Sequence, residues 1–569
     1  MKTGKRFSWT SFGLPGTCLL VCLFAACSNA ASPPNVSNAS TAAPANKQVL
    51  RTTAIGGDFY TLDPALTPGN GDPLNLIFTG LVEPKDDGTI TPVLASSYDA
   101  STDGLTYTFH LRPNLKFSDG TALTAQDVAY SINRTVLPAT KSSVSSYLQL
   151  IKDYDQVSSG KLATLINDSV IVKDPDTLVI IINKPAAYFL ETLAYPTSYV
   201  VEKKLIDKYG TNWTDHLQEG GGDGPFKVQS YSHTTGLVVV ANSNFSLFQP
   251  RLQKISYAIT GDRDSTYRAF EVGQFDLAPV PPTLNAQAKT KPGFQEVAAL
   301  ASRFIGLNEL VKPLDNLKIR QALALAINKD VIIGHIVGPS VTPSNHIVPD
   351  GIPGYYKNLT GPNGSGTAGD QTKATSLFAE GLKEEGYSSV SNVPALTLRY
   401  ALGYQAGADT MSAIVAAWSQ TLGINIKLQG VDGNELIKEE GQTIGNSGPL
   451  QLWYGNWGAD YPDPQDWLTM FFGKSSQLNT FNYGQNKSPE NVLQQQVQTQ
   501  LARADIERDA ATRNQLYNDA EQKIVNDASW ITTYQSSYSY SVNPKLKNWK
   551  INSLGSLSVM DWANVYFVQ

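Results

Sequence analysis

The chain has 569 residues, of which 41% are hydrophobic and 10% aromatic. These proportions exclude an intrinsically disordered chain and a polytopic membrane protein, and the length predicts more than one folded domain. A formal net charge of −6 argues against nucleic acid as a partner, because phosphate groups are neutralised by a basic protein surface.

The N-terminus has the pattern of an export signal. A basic head with Lys2, Lys5 and Arg6 precedes an apolar run over residues 19–26, which ends at Cys27. The run is too short to cross a bilayer, which takes about 20 apolar residues. All cysteines of the chain lie in this segment: Cys18, Cys22 and Cys27. The exported body is therefore expected to contain neither a disulfide nor a cysteine nucleophile.

The end of this segment resembles a bacterial lipoprotein signal. Two alanines precede Cys27, and the resemblance implies cleavage of residues 1–27 just before that cysteine and lipidation of its thiol. Phe24 stands where such signals usually have an aliphatic residue. The alternatives are an uncleaved signal anchor or lipidation of Cys22. Residues 28–48 are almost wholly Ser, Ala, Pro, Asn and Thr, which predicts a flexible tether to the folded body.

The folded body is predicted to begin near Val49 and to mix strands with helices. Residues 107–111 alternate between apolar and polar side chains, as in a half-buried strand. Residues 170–172 and 178–182 flank an Asp-Pro-Asp turn and predict a pair of neighbouring strands. This intermingling favours an α/β architecture over a β-sandwich or a helical bundle.

Helices are predicted from their caps and from apolar spacing. Thr124 should begin a helix, with Asp127 three residues later as in a capping box. Asp315 is predicted to cap a second helix, in which apolar residues recur at helical spacing. Residues 504–527 predict one long charged helix, and residues 530–540 a strand.

Several short motifs of the body occur in a recognisable order. They are TLDPA (residues 61–65), TGLVE (79–83), FSDG (117–120), GPFKV (224–228), RQALALAI (320–327) and WGADYPDP (457–464). In this order they resemble the dipeptide/oligopeptide-binding family of extracellular solute receptors that serve ABC importers, known as solute-binding protein family 5. The similarity extends over nearly the whole body and is greatest to the oligopeptide branch.

The resemblance implies a two-lobed α/β flytrap of the periplasmic-binding-protein type, in its large three-subdomain form (type II) with mixed sheets. Lobe I would hold residues 49–300, with an inserted subdomain at about 92–222, and lobe II residues 301–530. Residues 531–569 would return to lobe I. A ligand that touches both lobes would shift the population towards the closed state.

The same resemblance supplies candidate ligand contacts. It places Asp460 in the cleft, where its carboxylate accepts hydrogen bonds from the α-amino group of a peptide. The alternative is that Asp460 caps a turn before Pro462. Trp457 and Tyr461 are candidate cleft walls, and Tyr147 is a candidate pocket residue with an ordinary surface tyrosine as the alternative.

Tyr454 is a further candidate contact and also a departure from the family pattern. Some oligopeptide receptors have an arginine three residues before the motif tryptophan, where it meets the C-terminal carboxylate of a peptide. This chain has Tyr454 there, so the carboxylate partner is not carried over.

The expected function is a lipid-anchored, monomeric receptor on the outer face of a bacterial cell membrane, which hands short peptides to the permease subunits of an ABC importer. Alternatives are a non-peptide cargo, such as a nickel chelate or an oligosaccharide, and a sensor with the same cleft. No cofactor or metal is expected, because the five histidines form no cluster with metal-ligand spacing. An enzyme is not expected either, because motifs such as G-x-S-x-G and H-E-x-x-H are missing from the sequence.

Overall fold

The computed structural model describes residues 41–55, 57–69, 73–85, 89–474 and 476–569. The predicted signal, Cys27 and the tether over residues 28–40 lie outside the described residues. The end of the predicted tether, residues 42–48, belongs to the folded unit that runs to Gln569. The Gln48 side-chain amide donates to the carbonyls of Ala43 and Phe567, each at 2.9 Å. The folded body therefore begins before Val49, because Gln48 hydrogen-bonds the backbone both at the start of this unit and near its end.

The described residues form strands throughout the unit. In chain order they are β1 (Val49–Ile55), β2 (Val82–Pro84), β3 (Ile90–Pro92), β4 (Ala95–Ala100), β5 (Thr106–Leu111), β6 (Val170–Asp174), β7 (Thr177–Ile181), β8 (Phe226–Ser232), β9 (Gly236–Ala241), β10 (Lys254–Thr260), β11 (Leu277–Pro279), β12 (Phe294–Leu307), β13 (Thr342–Pro343), β14 (Leu396–Ala401), β15 (Ile426–Val431), β16 (Leu452–Gly458), β17 (Trp530–Val542), β18 (Leu546–Lys547) and β19 (Tyr566–Phe567).

Helices alternate with these strands. They are α1 (Leu74–Ile77), α2 (Ala125–Val136), α3 (Tyr154–Ser158), α4 (Phe189–Leu193), α5 (Lys203–Tyr209), α6 (Arg263–Glu271), α7 (Asn285–Ala288), α8 (Leu317–Leu325), α9 (Lys329–Ile336), α10 (Gln371–Glu384), α11 (Gln405–Leu422), α12 (Gly433–Thr443), α13 (Leu468–Phe472), α14 (Asn491–Ile506) and α15 (Ala510–Asp527). Among the residues described, no helix combines the length and the apolar character that a membrane span requires.

Three sheets organise the unit. The first, in the order β1-β10-β9-β8, pairs β1 with β10 in parallel and the others antiparallel. The second, β4-β5-β7-β6, is antiparallel throughout. The third is a seven-stranded mixed sheet in the order β11-β17-β12-β16-β14-β15, with β13 beside β17. Its long strands β12 and β17 pair antiparallel, with a register shift between Ala298 and Ser302.

The two faces of the seven-stranded sheet bury different apolar clusters. On β12, Ile305 and Leu307 pack with α8, α10 and α11, whereas Phe304 packs with α13 to α15. On β16, Tyr454 belongs to the first of these clusters and Trp453 to the second. Successive side chains of a strand point to opposite faces of the sheet, so β16 contributes to both apolar clusters. The loop that follows β16 therefore begins between these two clusters.

Most predicted elements are confirmed. β5 buries alternate residues, β6 and β7 form the expected hairpin, and β17 begins at Trp530 as predicted. At the start of α2, the Asp127 carboxylate accepts the backbone N–H of Thr124 at 2.8 Å.

Two predicted boundaries are wrong. α8 is capped by Asn316, whose side chain accepts the N–H of Ile319 at 3.2 Å, and not by Asp315. Asp315 instead pairs with Lys312 at 2.7 Å. Residues 504–527 do not form one helix, because Asp509 accepts the N–H of Thr512 at 2.8 Å and starts α15 as a new helix.

Candidate functional site

The loop after β16 carries the aspartate that the sequence singles out. β16 ends at Gly458, and a 3-10 turn over Pro464–Asp466 follows. The Asp466 carboxylate holds the loop from inside: its Oδ2 accepts the backbone N–H of Asp460 at 3.0 Å and the indole N–H of Trp457 at 3.4 Å. Asp460 is thereby turned away from its own loop and faces another part of the chain.

The Asp460 carboxylate meets tyrosine hydroxyls from a distant segment. The hydroxyl of Tyr147 donates to Oδ2 of Asp460, and Tyr195 also hydrogen-bonds this carboxyl group. The rings of Tyr147 and Tyr195 stack with centroids 4.0 Å apart. Both tyrosines belong to the apolar cluster around the β4-β5-β7-β6 sheet, so the contact joins that cluster to the loop after β16.

Burial sets the protonation behaviour of this contact. Loss of solvent raises the pKa of Asp460 to about 6, although hydrogen bonds from Tyr147 and Tyr195 act in the opposite direction. Burial and then the charge of Asp460 raise the pKa of Tyr147, which keeps its hydroxyl a proton donor. The site therefore presents a carboxylate that ionises near neutral pH and is already oriented by neutral donors.

Tyr461 closes one side of the Asp460 contact. Its ring is buried, stands edge-to-face against Tyr147 at 6.3 Å and stacks on Tyr188 at 6.3 Å. Its hydroxyl donates to the side-chain carbonyl of Gln465. Tyr461 belongs to the same cluster as Tyr147, so this aromatic side chain from the loop packs into the core of another sheet.

The structure separates the remaining two candidates from the Asp460 carboxylate. The half-buried Trp457 ring packs edge-on against Phe471 at 4.8 Å, and its link to Asp460 is the shared acceptor Asp466. Tyr454 is buried, and its hydroxyl donates to the hydroxyl of Tyr534 at 3.3 Å. Tyr454 therefore belongs to a different group of aromatic side chains from that of Tyr147 and Tyr461.

A buried ion pair supports the loop from below. The Arg513 guanidinium binds the Asp463 carboxylate through both oxygens, at 2.7 and 2.8 Å. Asp463 also accepts the N–H of Gln465 at 2.8 Å, as expected of a turn residue. Nearby, burial and then the charge of Asp463 raise the pKa of Glu191 well above its ordinary value, which favours the protonated acid. The pair of Asp463 and Arg513 therefore stabilises the loop that carries Asp460.

Sequence reasoning missed Tyr195 and Asp466. Tyr195 is one of 26 tyrosines and carries no local signal beyond the proline that follows it. Asp466 reads as an ordinary acid of a turn, whereas it is completely buried. Among the described residues, no group of three or more His, Cys, Asp or Glu side chains is placed to hold a metal ion.

Comparison with known proteins places this geometry in context. The sequence model described as bacterial extracellular solute-binding proteins, family 5 Middle, matches residues 89–479. The dipeptide-binding protein DppE of Bacillus subtilis is 26% identical over 499 residues, with 86% of this chain and 87% of that protein covered. The periplasmic oligopeptide-binding protein OppA of Escherichia coli is 26% identical over 522 residues, with 89% of each covered.

Solved structures share the fold. An oligopeptide-binding protein of Borrelia burgdorferi, OppAIV, superposes with a TM-score of 0.74 at 27% identity, covering 90% of this chain and 99% of that one. The murein tripeptide binding protein MppA of Escherichia coli gives a TM-score of 0.75 at 23% identity, covering 92% and 98%. The chain therefore has the two-lobed α/β fold of periplasmic binding proteins, as predicted.

Proposed function

Because the chain belongs to the bacterial extracellular solute-binding proteins of family 5, we propose that it captures short peptides outside the cytoplasm and delivers them to an ABC importer. Relatives named for dipeptides and oligopeptides support peptides as the cargo. The observation that carries the proposal is the Asp460 carboxylate, held between the hydroxyls of Tyr147 and Tyr195.

The chemistry of Asp460 suits the amino terminus of a peptide. An ammonium group offers three donors and a positive charge, whereas the tyrosine hydroxyls offer only neutral donors. A buried carboxylate gains most from a charged partner, since hydrogen bonds to charged groups contribute about 1.5–3 kcal/mol. Tyr147 and Tyr461 then form the aromatic wall beside the ammonium, and Trp457 supports the loop through Asp466.

Closure of two lobes around the peptide is the second part of the proposal. Lobe I comprises residues 49–300 and 531–569, with the inserted subdomain at about 92–222, and lobe II comprises residues 301–530. On this division the Tyr147–Asp460 contact crosses the cleft. The crossings lie at residues 302–308 and 532–535, where β12 and β17 pair side by side. A peptide held at Asp460 therefore favours the closed state.

Lipid anchoring at Cys27 is the third part of the proposal. It is supported by the basic head, the apolar run and the alanines before this cysteine. Replacement by Cys27→Ala should release the receptor from the membrane fraction of an expressing bacterium, measured by immunoblotting. Membrane retention of the variant equal to that of the unchanged chain would contradict anchoring at this thiol.

The first test is a thermal-shift screen of the chain without residues 1–27, unfolded and refolded beforehand to remove carried-over cargo. Peptides of two to eight residues should raise the melting temperature, because a ligand that binds only the folded state stabilises it. Asp460→Ala should weaken binding about ten- to a hundredfold, and N-acetylation of the peptide should weaken it similarly. Asp155→Ala, which changes an exposed aspartate, is the matched control.

The outcomes test separately the class of cargo and the residue that binds the amino group of the peptide. A folded protein that responds to no peptide rules out peptide cargo, and the screen then moves to oligosaccharides and metal chelates. Peptide binding that is equally strong in Asp460→Ala would show that another residue receives the amino group.

A further inference from the structure

Arg303 differs from the other sheltered arginines of this protein. It lies on β12, and its side chain is half-buried. Within the described part of the chain, the Arg303 guanidinium makes no hydrogen bond or ion pair, and it lies over the rings of Tyr404 at 4.7 Å and Tyr454 at 5.8 Å. The other buried or half-buried arginines each bond to a carboxylate or a carbonyl oxygen: Arg112, Arg134, Arg320, Arg399 and Arg513.

The surroundings of Arg303 are rich in hydroxyl groups. The hydroxyl of Tyr534 lies 3.1 Å from that of Tyr404 and 3.3 Å from that of Tyr454. Arg303 is opposite Tyr534 on one neighbouring strand and opposite Asn456 on the other. Residues directly opposite each other in a sheet share a face, and Asn456 is exposed, so this face opens to solvent beside the guanidinium.

A guanidinium beside phenol hydroxyls is suited to an organic carboxylate. The planar fork of arginine donates two parallel hydrogen bonds to the two oxygens of a carboxylate, which gives both charge pairing and orientation. Resting on ring faces leaves the edge of the guanidinium free for such a partner. The guanidinium of Arg303 lies over the ring of Tyr454. Position 454 carries no positive charge in this chain, and Arg303 on β12 places one beside it.

We propose that Arg303 binds the C-terminal carboxylate of the captured peptide. This inference rests on the proposed peptide-binding function. It adds a binding residue for the C-terminus of the peptide to the one proposed for its amino group. Because one of the Tyr404 and Tyr534 hydroxyls donates to the other, one O–H of this pair is left as an additional donor at this end.

The register of β16 gives the length of ligand that can reach both ends. Asn456, which lies opposite Arg303, precedes Asp460 by four residues in the chain. Four extended residues span at most about 14 Å. Because this is an upper limit, an extended peptide of about five residues is long enough to span the backbone separation of the two positions.

The test compares one peptide with its own C-terminal amide. The probe is the tetrapeptide that stabilises the refolded protein most, and its affinity and that of its amide are measured by isothermal titration calorimetry. The unchanged chain should bind the acid about ten- to a hundredfold more tightly than the amide. Arg303→Gln should bring this ratio close to one, while the effect of N-acetylation stays unchanged.

The control is Arg251→Gln, because Arg251 also lies over a tyrosine ring, that of Tyr566 at 3.2 Å, and this tyrosine belongs to a different sheet from Arg303. It should leave the acid-to-amide ratio as it is. Arg303→Lys keeps the charge without the fork and should reduce the ratio severalfold, and it decides the question if Arg303→Gln does not fold.

An acid-to-amide ratio that is unchanged in both Arg303 variants overturns this inference and leaves the proposed function intact. A refolded protein that responds to peptides of other lengths but binds no tetrapeptide overturns this inference alone, and one that responds to no peptide of two to eight residues overturns both.

Discussion

At the scale of single residues, the loop after β16 contains carboxyl groups in contrasting surroundings. Asp463 is bound by both nitrogens of the Arg513 fork, and Asp466 accepts the N–H groups that shape the loop. Asp460 faces hydroxyl groups that are neutral. A peptide ammonium would add charge-assisted hydrogen bonds to the Asp460 carboxylate, which is the binding mode proposed above.

Peptide binding should weaken as the pH falls through 6. Burial raises the pKa of Asp460 to about 6, so at pH 5 most of this group is protonated and no longer attracts an ammonium. Affinity should fall about tenfold between pH 7 and pH 5, where the peptide termini keep their charges. The free energy of unfolding depends on pH in the opposite direction. Because the pKa of Asp460 is raised in the folded state, the stability that this group contributes is present at low pH and is lost as the pH rises through 6.

Calorimetric titration at several pH values measures this dependence. Asp460→Asn should bind more weakly at pH 7 and lose the pH dependence. An identical pH profile in this variant would assign the titration to another group.

The pair of Asp463 and Arg513 should matter for stability. Both side chains are buried, so Asp463→Asn leaves an uncompensated guanidinium, which costs about 3–5 kcal/mol. The melting temperature should fall clearly. Asp207→Asn, which breaks the exposed pair of Lys203 and Asp207, is the control and should leave the melting temperature nearly unchanged. Equal melting temperatures of the two variants would contradict a structural role for Asp463.

At the scale of elements, β12 and β16 fit together by placing glycine opposite large aromatic rings. Gly306 lies opposite Trp453, and Gly455 lies opposite Phe304. A Cβ atom at Gly306 would be 2.3 Å from the Trp453 ring, and one at Gly455 would be 2.4 Å from the Phe304 ring. The two strands therefore set the position of the loop that carries Asp460 through close packing as well as backbone hydrogen bonds.

Gly455→Ala should destabilise the protein by about 1–3 kcal/mol, because the added methyl group overpacks the contact with Phe304. Gly441→Ala is the matched control: it lies on α12 with no atom within 4 Å of an added Cβ, and alanine favours a helix. Thermal melting of both variants measures the difference. A melting temperature of Gly455→Ala at or above that of the unchanged chain would show that the strands move apart freely.

At the scale of the whole molecule, the proposed cleft is bridged by a contact between distant parts of the chain. Tyr147 and Asp460 are 313 residues apart, and the connecting strands β12 and β17 run side by side. In a two-lobed receptor such a bridge is made only when the lobes approach each other.

A saturating peptide should decrease the radius of gyration in small-angle X-ray scattering, because binding selects the closed state. Asp460→Ala at the same peptide concentration should show a smaller decrease or none. If the peptide does not alter the radius of gyration of the protein without substitutions, that result would argue against lobe closure as the mode of capture.

Local chemistry made several features predictable. The alternating burial of β5 and the hydrogen bond of the Asp127 carboxylate at the start of α2 involve residues close together in the chain. Such local interactions can be predicted from the sequence. The helix errors arose where two local choices compete. Asp315 and Asn316 are adjacent candidate caps, and the start of α15 at Asp509 interrupts a stretch whose composition suits one continuous helix.

The sequence alone determined the family and the α/β class, and it predicted Asp460 as a ligand contact, because motif order and residue type are properties of the chain itself. Only the tertiary structure decided which side chains meet that carboxylate. Tyr195 reaches it through contacts that no local pattern encodes, and Arg303 is distinctive because its guanidinium makes no ion pair or hydrogen bond in the described part of the fold. The reason is physical: burial and unmet charge depend on neighbours that are distant in sequence and become adjacent when the chain packs.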